Sequence, residues 1–302
     1  MLRMLRDIGN SNRKGRKMKS DFLTRILLNC LVFSLIAVAG CNIQIGYSHP
    51  SFLLAKYERT VQLSKPMAAG SLFSAKSNDG WITVTGGDIT ECNVTATIIA
   101  RADSDTNARR IADQTKLRLE QFGNKLTLKV QRPILMFNQS VDVQIDAKVL
   151  KNCDLELGTD DGDITIENVK GRVDVKTDDG KVSLSQVGGD IKVRSDDGSI
   201  KVKEVTGDVN LRSDDGRITV VYSKDADGVC NISLVTDDGA IDFTAPTNFS
   251  ADVEILTDDG SINTGLPIKV MGKLGRIGIK GTIGTGQGRL YIRTDDGSIR
   301  IR

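Results

Sequence analysis

A glycine-punctuated repeat of fixed length constrains this chain more than any other feature. Asp-Asp-Gly recurs at 160–162, 178–180, 196–198 and 214–216, so successive glycines stand 18 residues apart. A second glycine lies at each midpoint, which puts Gly162, Gly171, Gly180, Gly189, Gly198, Gly207 and Gly216 at steps of nine. Between them apolar residues alternate with polar ones: Ile164 and Ile166, Val173 and Val175, Val182 and Leu184, Ile191 and Val193, Ile200 and Val202. Period two marks short strands with one buried face. A constant period with a turn at each half predicts an all-β fold, a single-stranded parallel β-helix (β-solenoid) in which each coil covers the next.

Within one coil counted from Gly162, inward positions fall at Ile164, Ile166, Val169, Val173 and Val175, followed by a hydroxyl at Thr177. The hydroxyl recurs as Thr159, Thr177, Ser195, Ser213, Thr236, Thr257 and Thr294, always just before Asp-Asp-Gly. It shares the parity of the inward residues, so a buried hydroxyl ladder with backbone or hydroxyl partners is expected at one corner. Turn chemistry accounts for the flanking residues, with Asp bonding its own backbone and Gly accepting a positive φ.

Three zones follow from this pattern. Residues 58–158 read as irregular N-terminal coils interrupted by a short helix and a hairpin, 159–220 as the regular array, and 221–302 as longer coils with a closing C-terminal coil. Asp105-Thr106-Asn107 is placed to cap the helix through Ala108, Ile111 and Ala112, and Phe122-Gly123-Asn124-Lys125 to turn the hairpin. Both lie either over the first coil's edge or at the side as an insertion. Between Gly260 and Gly297 there are 37 residues, enough for about two coils. The chain ends on Ile299-Arg300-Ile301-Arg302, whose arginines would guard an exposed final edge.

The first forty residues are of another kind. A basic run from Arg13 to Lys19 precedes an apolar stretch from Phe22 to Ala39, then Val38-Ala39-Gly40-Cys41. Residues 1–40 read as an export signal, with Met18 an alternative start. The Val-Ala-Gly-Cys sequence resembles the bacterial lipobox, which implies lipidation at Cys41 and attachment to the bacterial cell membrane or outer membrane. An uncleaved anchor helix is the alternative. Residues 41–57 read as a tether and hold the only histidine, His49. A histidine triad or a His-rich metal site therefore cannot be assembled. The formal charge of +2 hides an asymmetry: residues 1–40 carry eight Lys/Arg against two Asp/Glu, leaving 33 basic and 37 acidic groups beyond them. That remainder offers no basic field for nucleic acid.

From Gly281-Thr-Ile-Gly284-Thr-Gly286-Gln-Gly288 to Arg302, and through the Gly-x-Ile-x-Val units of 159–220, the chain resembles the adhesin-like bacterial β-solenoid domains of unknown function related to the head GIN domain. The resemblance covers roughly 58–302 and implies a surface or envelope module with a protein or polysaccharide ligand. No catalytic residues are expected, because the carboxylate pairs are one pair repeated, whereas an active site needs a singular constellation. The rival reading is a calcium-stabilised β-roll, with Asp160, Asp161, Asp178, Asp179, Asp196, Asp197, Asp214 and Asp215 as a cation ladder. A carbohydrate-active β-helix enzyme stands third. Cys92 and Cys153 could pair, whereas Cys230 shares the inward parity and reads as core.

Overall fold

The computed structural model describes residues 54–271 and 278–302. Two long sheets face each other, one of 11 strands and one of 12. Each regular coil contributes one strand to each. Asp154–Thr159 lies in the larger sheet, the Asp-Asp-Gly corner turns the chain, Ile164–Val169 lies in the smaller sheet, and Val173–Thr177 returns to the larger one.

The coils stack in register. Ile164, Val182, Ile200 and Ile218 form one inward column through parallel pairing of successive strands. Leu155, Val173, Ile191, Val209 and Ile232 form its counterpart on the opposite sheet. All are buried, as are Ile166, Val169 and Val175 and their counterparts in the next coils, so the core is a continuous aliphatic strip between the sheets. Alternation alone produces it: every second side chain faces the facing sheet, and each backbone edge pairs with the coil above.

The hydroxyls sit where parity put them. Thr177, Ser213, Thr236 and Thr294 are fully buried, and Ser195 nearly so. Their partners are backbone groups. Ser213 Oγ accepts from Gly216 N–H at 3.0 Å and donates to Gly198 O of the preceding coil at 3.0 Å. Thr294 donates to Gly239 O at 2.8 Å. Ser195 and Ser213 thus close their own turns and fasten them to the neighbouring coil, Thr177 closes its turn, and Thr159, Thr236, Thr257 and Thr294 fasten coil to coil.

The turn glycines have a different reason from the one expected. Of the corner glycines only Gly80 has a positive φ, at 113°. In the array the requirement is close approach: a Cβ on Gly180 would stand 2.5 Å from Gly162 C and 2.9 Å from Thr177 Oγ1. Nor do the Asp side chains bond their own turn, since the Thr or Ser hydroxyl takes that role. Left-handed backbone falls instead on Asn168, Gln186 and Glu204, at the same place in three successive coils.

The N-terminal zone winds only in part: Leu72–Lys76 and Ile82–Gly87 form a coil in parallel register with 154–159 and 164–169, and 125–131 and 140–150 stack on it, but antiparallel strands are added around them. The first strand, Ala55–Pro66, begins ahead of residue 58 and pairs antiparallel with Glu91–Ala102, which pairs antiparallel with Ser140–Leu150. The hairpin Lys116–Phe122 and Lys125–Gln131 extends the larger sheet, its second strand parallel to Leu72–Lys76. These antiparallel strands accompany the irregular coils read from the sequence and were not foreseen there, because alternation records which face is buried and not strand direction. Helix Asp105–Gln114 packs on strands 55–66 and 91–102, burying Ala108, Ile111 and Ala112. Its N-cap is Ser104, whose hydroxyl accepts from Asn107 N–H at 3.4 Å, one residue ahead of the expected cap. Arg59 donates to Thr115 O at 2.6 Å and closes the other helix end.

The C-terminal zone departs further from sequence order. Strand Gly288–Thr294 lies between Asn231–Thr236 and Ala251–Thr257. Ile299–Ile301 likewise lies between Ile241–Thr244 and Ile262–Thr264. The closing coil is therefore internal. Arg300 and Arg302 do not guard an edge, and Arg300 Nη1 bonds Asp242 Oδ1 at 3.0 Å. The interval Gly260–Gly297 holds one coil's remainder and the antiparallel pair Lys269–Val270 and Gly278–Ile283, which ends the larger sheet. The smaller sheet ends on the three-residue strand 262–264; edges this short are poor templates for foreign strands.

Candidate functional site

The most regular surface is the corner between the sheets. The carbonyl of each first Asp accepts two N–H groups from the next coil: Asp160 O from Asp178 and Asp179, Asp178 O from Asp196 and Asp197, Asp196 O from Asp214 and Asp215. The series begins at Asn78 and continues through Asp237, Asp295 and Asp258, again with the closing coil ahead of the one that precedes it in sequence. All eight candidate carboxylates, Asp160, Asp161, Asp178, Asp179, Asp196, Asp197, Asp214 and Asp215, stand in this ladder.

Its two columns differ in environment. The first-position carboxylates meet cations on the larger sheet: Lys176 reaches Asp178 at 3.6 Å, Arg212 reaches Asp214 at 3.3 Å and Asp237 at 3.5 Å, and Arg293 reaches Asp295 at 2.9 Å. Strand register aligns those cations, because Lys76, Gly158, Lys176, Arg194, Arg212, Val235, Arg293 and Leu256 face outward at one position of successive coils. Val235, Gly158 and Leu256 interrupt the stripe.

The second-position column is exposed at Asp161, Asp179, Asp197, Asp215, Asp238, Asp296 and Asp259, and among the described residues none of these forms an ion pair. Partial desolvation, together with the charges of Asp197, Asp161 and their neighbours, holds the Asp179 carboxyl above the ordinary range. Asp215 is raised in the same way, with Asp197 and Asp238 on either side. At the column's head Arg132 Nη1 bonds Asp79 at 3.0 Å.

A cation site needs carboxylates converging on one point. Among the described residues, no group of three or more His, Cys, Asp or Glu side chains is gathered so as to hold a metal ion. The carboxylates run in a line and share no centre.

On the outer face of the larger sheet a shallow groove is lined by Asp190, Lys192, Asp208, Asn210, Arg289 and Tyr291, among others. Asp208 is committed to structure there, accepting from Asn231 N–H at 2.8 Å. Asp190 does the same for Asp208 N–H at 3.4 Å. Nothing in the sequence pointed to this groove, whereas the basic neighbours of the Asp pairs, Lys176, Arg194, Arg212 and Arg293, were readable there. The first three repeat at 18 residues.

The reactive side chains are out of play. Cys92, Cys153 and Cys230 are free thiols in the core, so Cys92 and Cys153 do not pair. Burial pushes Cys92 and Cys153 up to about 12 and Cys230 to about 11, which leaves them protonated and unreactive at neutral pH. Tyr222, raised by burial, donates its hydroxyl proton to Gly207 O at 2.9 Å. Cys41 and the signal, lipobox and tether residues up to 53 lie outside the described residues.

No curated protein matches the chain. Solved structures similar to it include a putative cell adhesion protein from Clostridium sporogenes, 10% identical, covering 80% of this chain and 99% of that one with a TM-score of 0.36. A putative adhesin from Bacteroides fragilis is 13% identical over 81% of this chain and 97% of that one, TM-score 0.36. A putative adhesin from Parabacteroides distasonis is 9% identical over 81% and 97%, TM-score 0.33. The sequence profile of Toastrack DUF4097 matches residues 55–302, the whole stretch in which the two sheets are built. On that match the chain belongs to the Toastrack DUF4097 family.

Proposed function

We propose that this protein is an exported, lipid-anchored, non-catalytic module of the bacterial envelope that binds an extended partner, a protein or a polysaccharide, along its striped corner. One observation carries the reading. A carboxylate column repeating once per coil, about 4.8 Å apart, runs beside a cation column filled by Lys76, Lys176, Arg194, Arg212 and Arg293, while among the described residues no buried titratable cluster departs from the repeat. A surface of that kind offers many equivalent weak contacts along a line, which suits a chain-like ligand and gives a single reacting bond no distinctive environment. Lipidation at Cys41 supplies the attachment, and acyl chains contribute about 0.8 kcal/mol per buried CH₂.

Two measurements test this. Binding of the full-length protein to purified envelope polysaccharides and proteins is compared with that of the Arg194→Glu/Arg212→Glu variant. Loss of binding with unchanged folding is expected; undiminished binding moves the site elsewhere. Turnover of any polysaccharide, abolished by replacing one Asp pair, would overturn the non-catalytic reading. For the anchor, palmitate labelling should vanish in Cys41→Ser, and persistent labelling refutes it.

A further inference from the structure

The loop from Arg132 to Gln139 joins the larger sheet to the smaller around the head of the acidic corner, in the place of an Asp-Asp-Gly turn. It is long, and from Pro133 to Gln139 it carries no charge. Ile134 is 97% exposed, Phe137 92% and Met136 74%. The other exposed large apolar residues, Phe122, Val229, Val270 and Met271, stand singly or as one pair, so these three within four positions make the densest such group among the described residues.

This loop is held open by its own bonds. Gln139 N–H donates to Met136 O at 3.1 Å, and Met136 N–H donates to Gln139 Oε1 at 3.0 Å. Asn138 takes φ 61°, which completes a tight turn with Phe137 at its tip. Arg132 ties the loop's foot to Asp79 and to Ser77 Oγ. An ordered turn that points Phe137 outward pays no further ordering entropy when something covers it.

Its neighbourhood indicates what that something is. Ala55, where the described chain begins its first strand, pairs with Ala102, and Arg101 pairs with Ser140 on the other side. Ala55 and the foot of the loop therefore lie two strands apart, about 10 Å. Thirteen residues separate Cys41 from Ala55, and bond geometry limits their reach to about 50 Å. A lipid attached at Cys41 would therefore tether the chain at the loop's end of the stack and leave this corner within reach of the bilayer.

We infer that the 133–137 loop is a membrane-contacting tip: Ile134, Met136 and Phe137 enter the interfacial region of the bilayer that holds the lipidated Cys41. The stack then stands on its N-terminal end, with the striped corner running away from the membrane. The inference rests on the lipid-anchor reading for delivery, and its chemistry is that of apolar and aromatic side chains partitioning into the headgroup boundary.

The test uses the full chain, made in an exporting bacterial host and reconstituted in vesicles of phosphatidylethanolamine and phosphatidylglycerol with or without brominated chains. Phe137→Trp is read as the difference from the native protein, whose one tryptophan is Trp81. Ser233→Trp, on the outer face of the larger sheet, is the control. Emission from position 137 should shift to the blue and be quenched by brominated lipid, and emission from 233 should do neither. Unquenched emission at 137 overturns the inference, as does a blue shift already present without lipid, which would mean that residues 22–39 or a second copy cover the tip. Palmitate labelling of the same preparation separates the two readings. A labelled chain with an unquenched tip refutes the tip alone, and a quenched tip on an unlabelled chain refutes the anchor alone.

Discussion

Replacing Gly180 by alanine should damage the fold far more than a single methyl group suggests. The new Cβ would lie 2.5 Å from Gly162 C and within the sphere of the Gly162 carbonyl oxygen, against an ordinary carbon–carbon contact of about 3.5–4.0 Å. Coils 162 and 180 must therefore part by about 1 Å at the corner. That movement stretches the bonds from Asp178 N–H and Asp179 N–H to Asp160 O, now 3.3 and 3.0 Å. Overpacking costs about 1–3 kcal/mol. Two weakened backbone bonds add about 1 kcal/mol each. The expected destabilisation is about 3–5 kcal/mol. Gly158→Ala is the matched control, because its Cβ would meet nothing nearer than Lys176 O at 3.4 Å and Lys76 Cγ at 3.6 Å. It should be neutral, or stabilising by about 0.5 kcal/mol through reduced freedom of the unfolded chain. Urea unfolding followed by circular dichroism measures both. Equal losses at the two positions, or a loss below about 1 kcal/mol at Gly180, would refute the argument that close coil approach demands glycine there.

Three further outcomes are expected. Ser213→Ala leaves Gly216 N–H and Gly198 O without their partner in the core and should cost about 1–3 kcal/mol in the same assay, whereas Ser213→Thr, the residue used at 177 and 236, should be tolerated. Asp179 and Asp215 bind a proton more readily folded than unfolded, so their contribution to stability rises as pH falls through their raised folded values and is complete below the ordinary carboxylate value. Asp179→Asn/Asp215→Asn should therefore melt higher than the native protein at pH 7 in low salt, with the difference shrinking in high salt and on acidification; an unchanged melting temperature would remove the repulsion. Cys92, Cys153 and Cys230 should resist a thiol reagent at pH 8 until denaturant is added, as read by mass spectrometry of the labelled peptides.

The regular array was legible because its period, its parity and its hydroxyls are three signals of one geometry. Ile164, Val182, Ile200 and Ile218 stack as their spacing requires. Strand direction and neighbour order were not legible. Val94, Ala96 and Ile98 alternate equally well in a coil or in the antiparallel sheet they join. Thr294-Asp295-Asp296-Gly297 matches Thr257-Asp258-Asp259-Gly260 residue for residue, so nothing local says which lies nearer Thr236-Asp237-Asp238-Gly239. The striped corner was largely legible: the acidic pairs and the neighbouring Lys176, Arg194, Arg212 and Arg293 can be read directly, but their alignment into one column, with its gaps at Gly158, Val235 and Leu256, follows only from strand register. Exposure of Ile134, Met136 and Phe137 left no mark in the pattern, since an apolar run reads as core until a fold places it outside.

The interleaved last coil has a bearing on how the molecule comes into being. Residues 231–244 and 251–264 are consecutive along the chain, yet they meet only through residues 288–301, a stretch synthesised after both of them. That half of the stack cannot zip up progressively from the amino end, and its carboxyl-terminal wedge must arrive before either neighbour finds a lasting mate. Removing residues 288–302 would leave a slot in the middle of the assembly, so a chain lacking them should lose protection at Ile255 and Leu234 together.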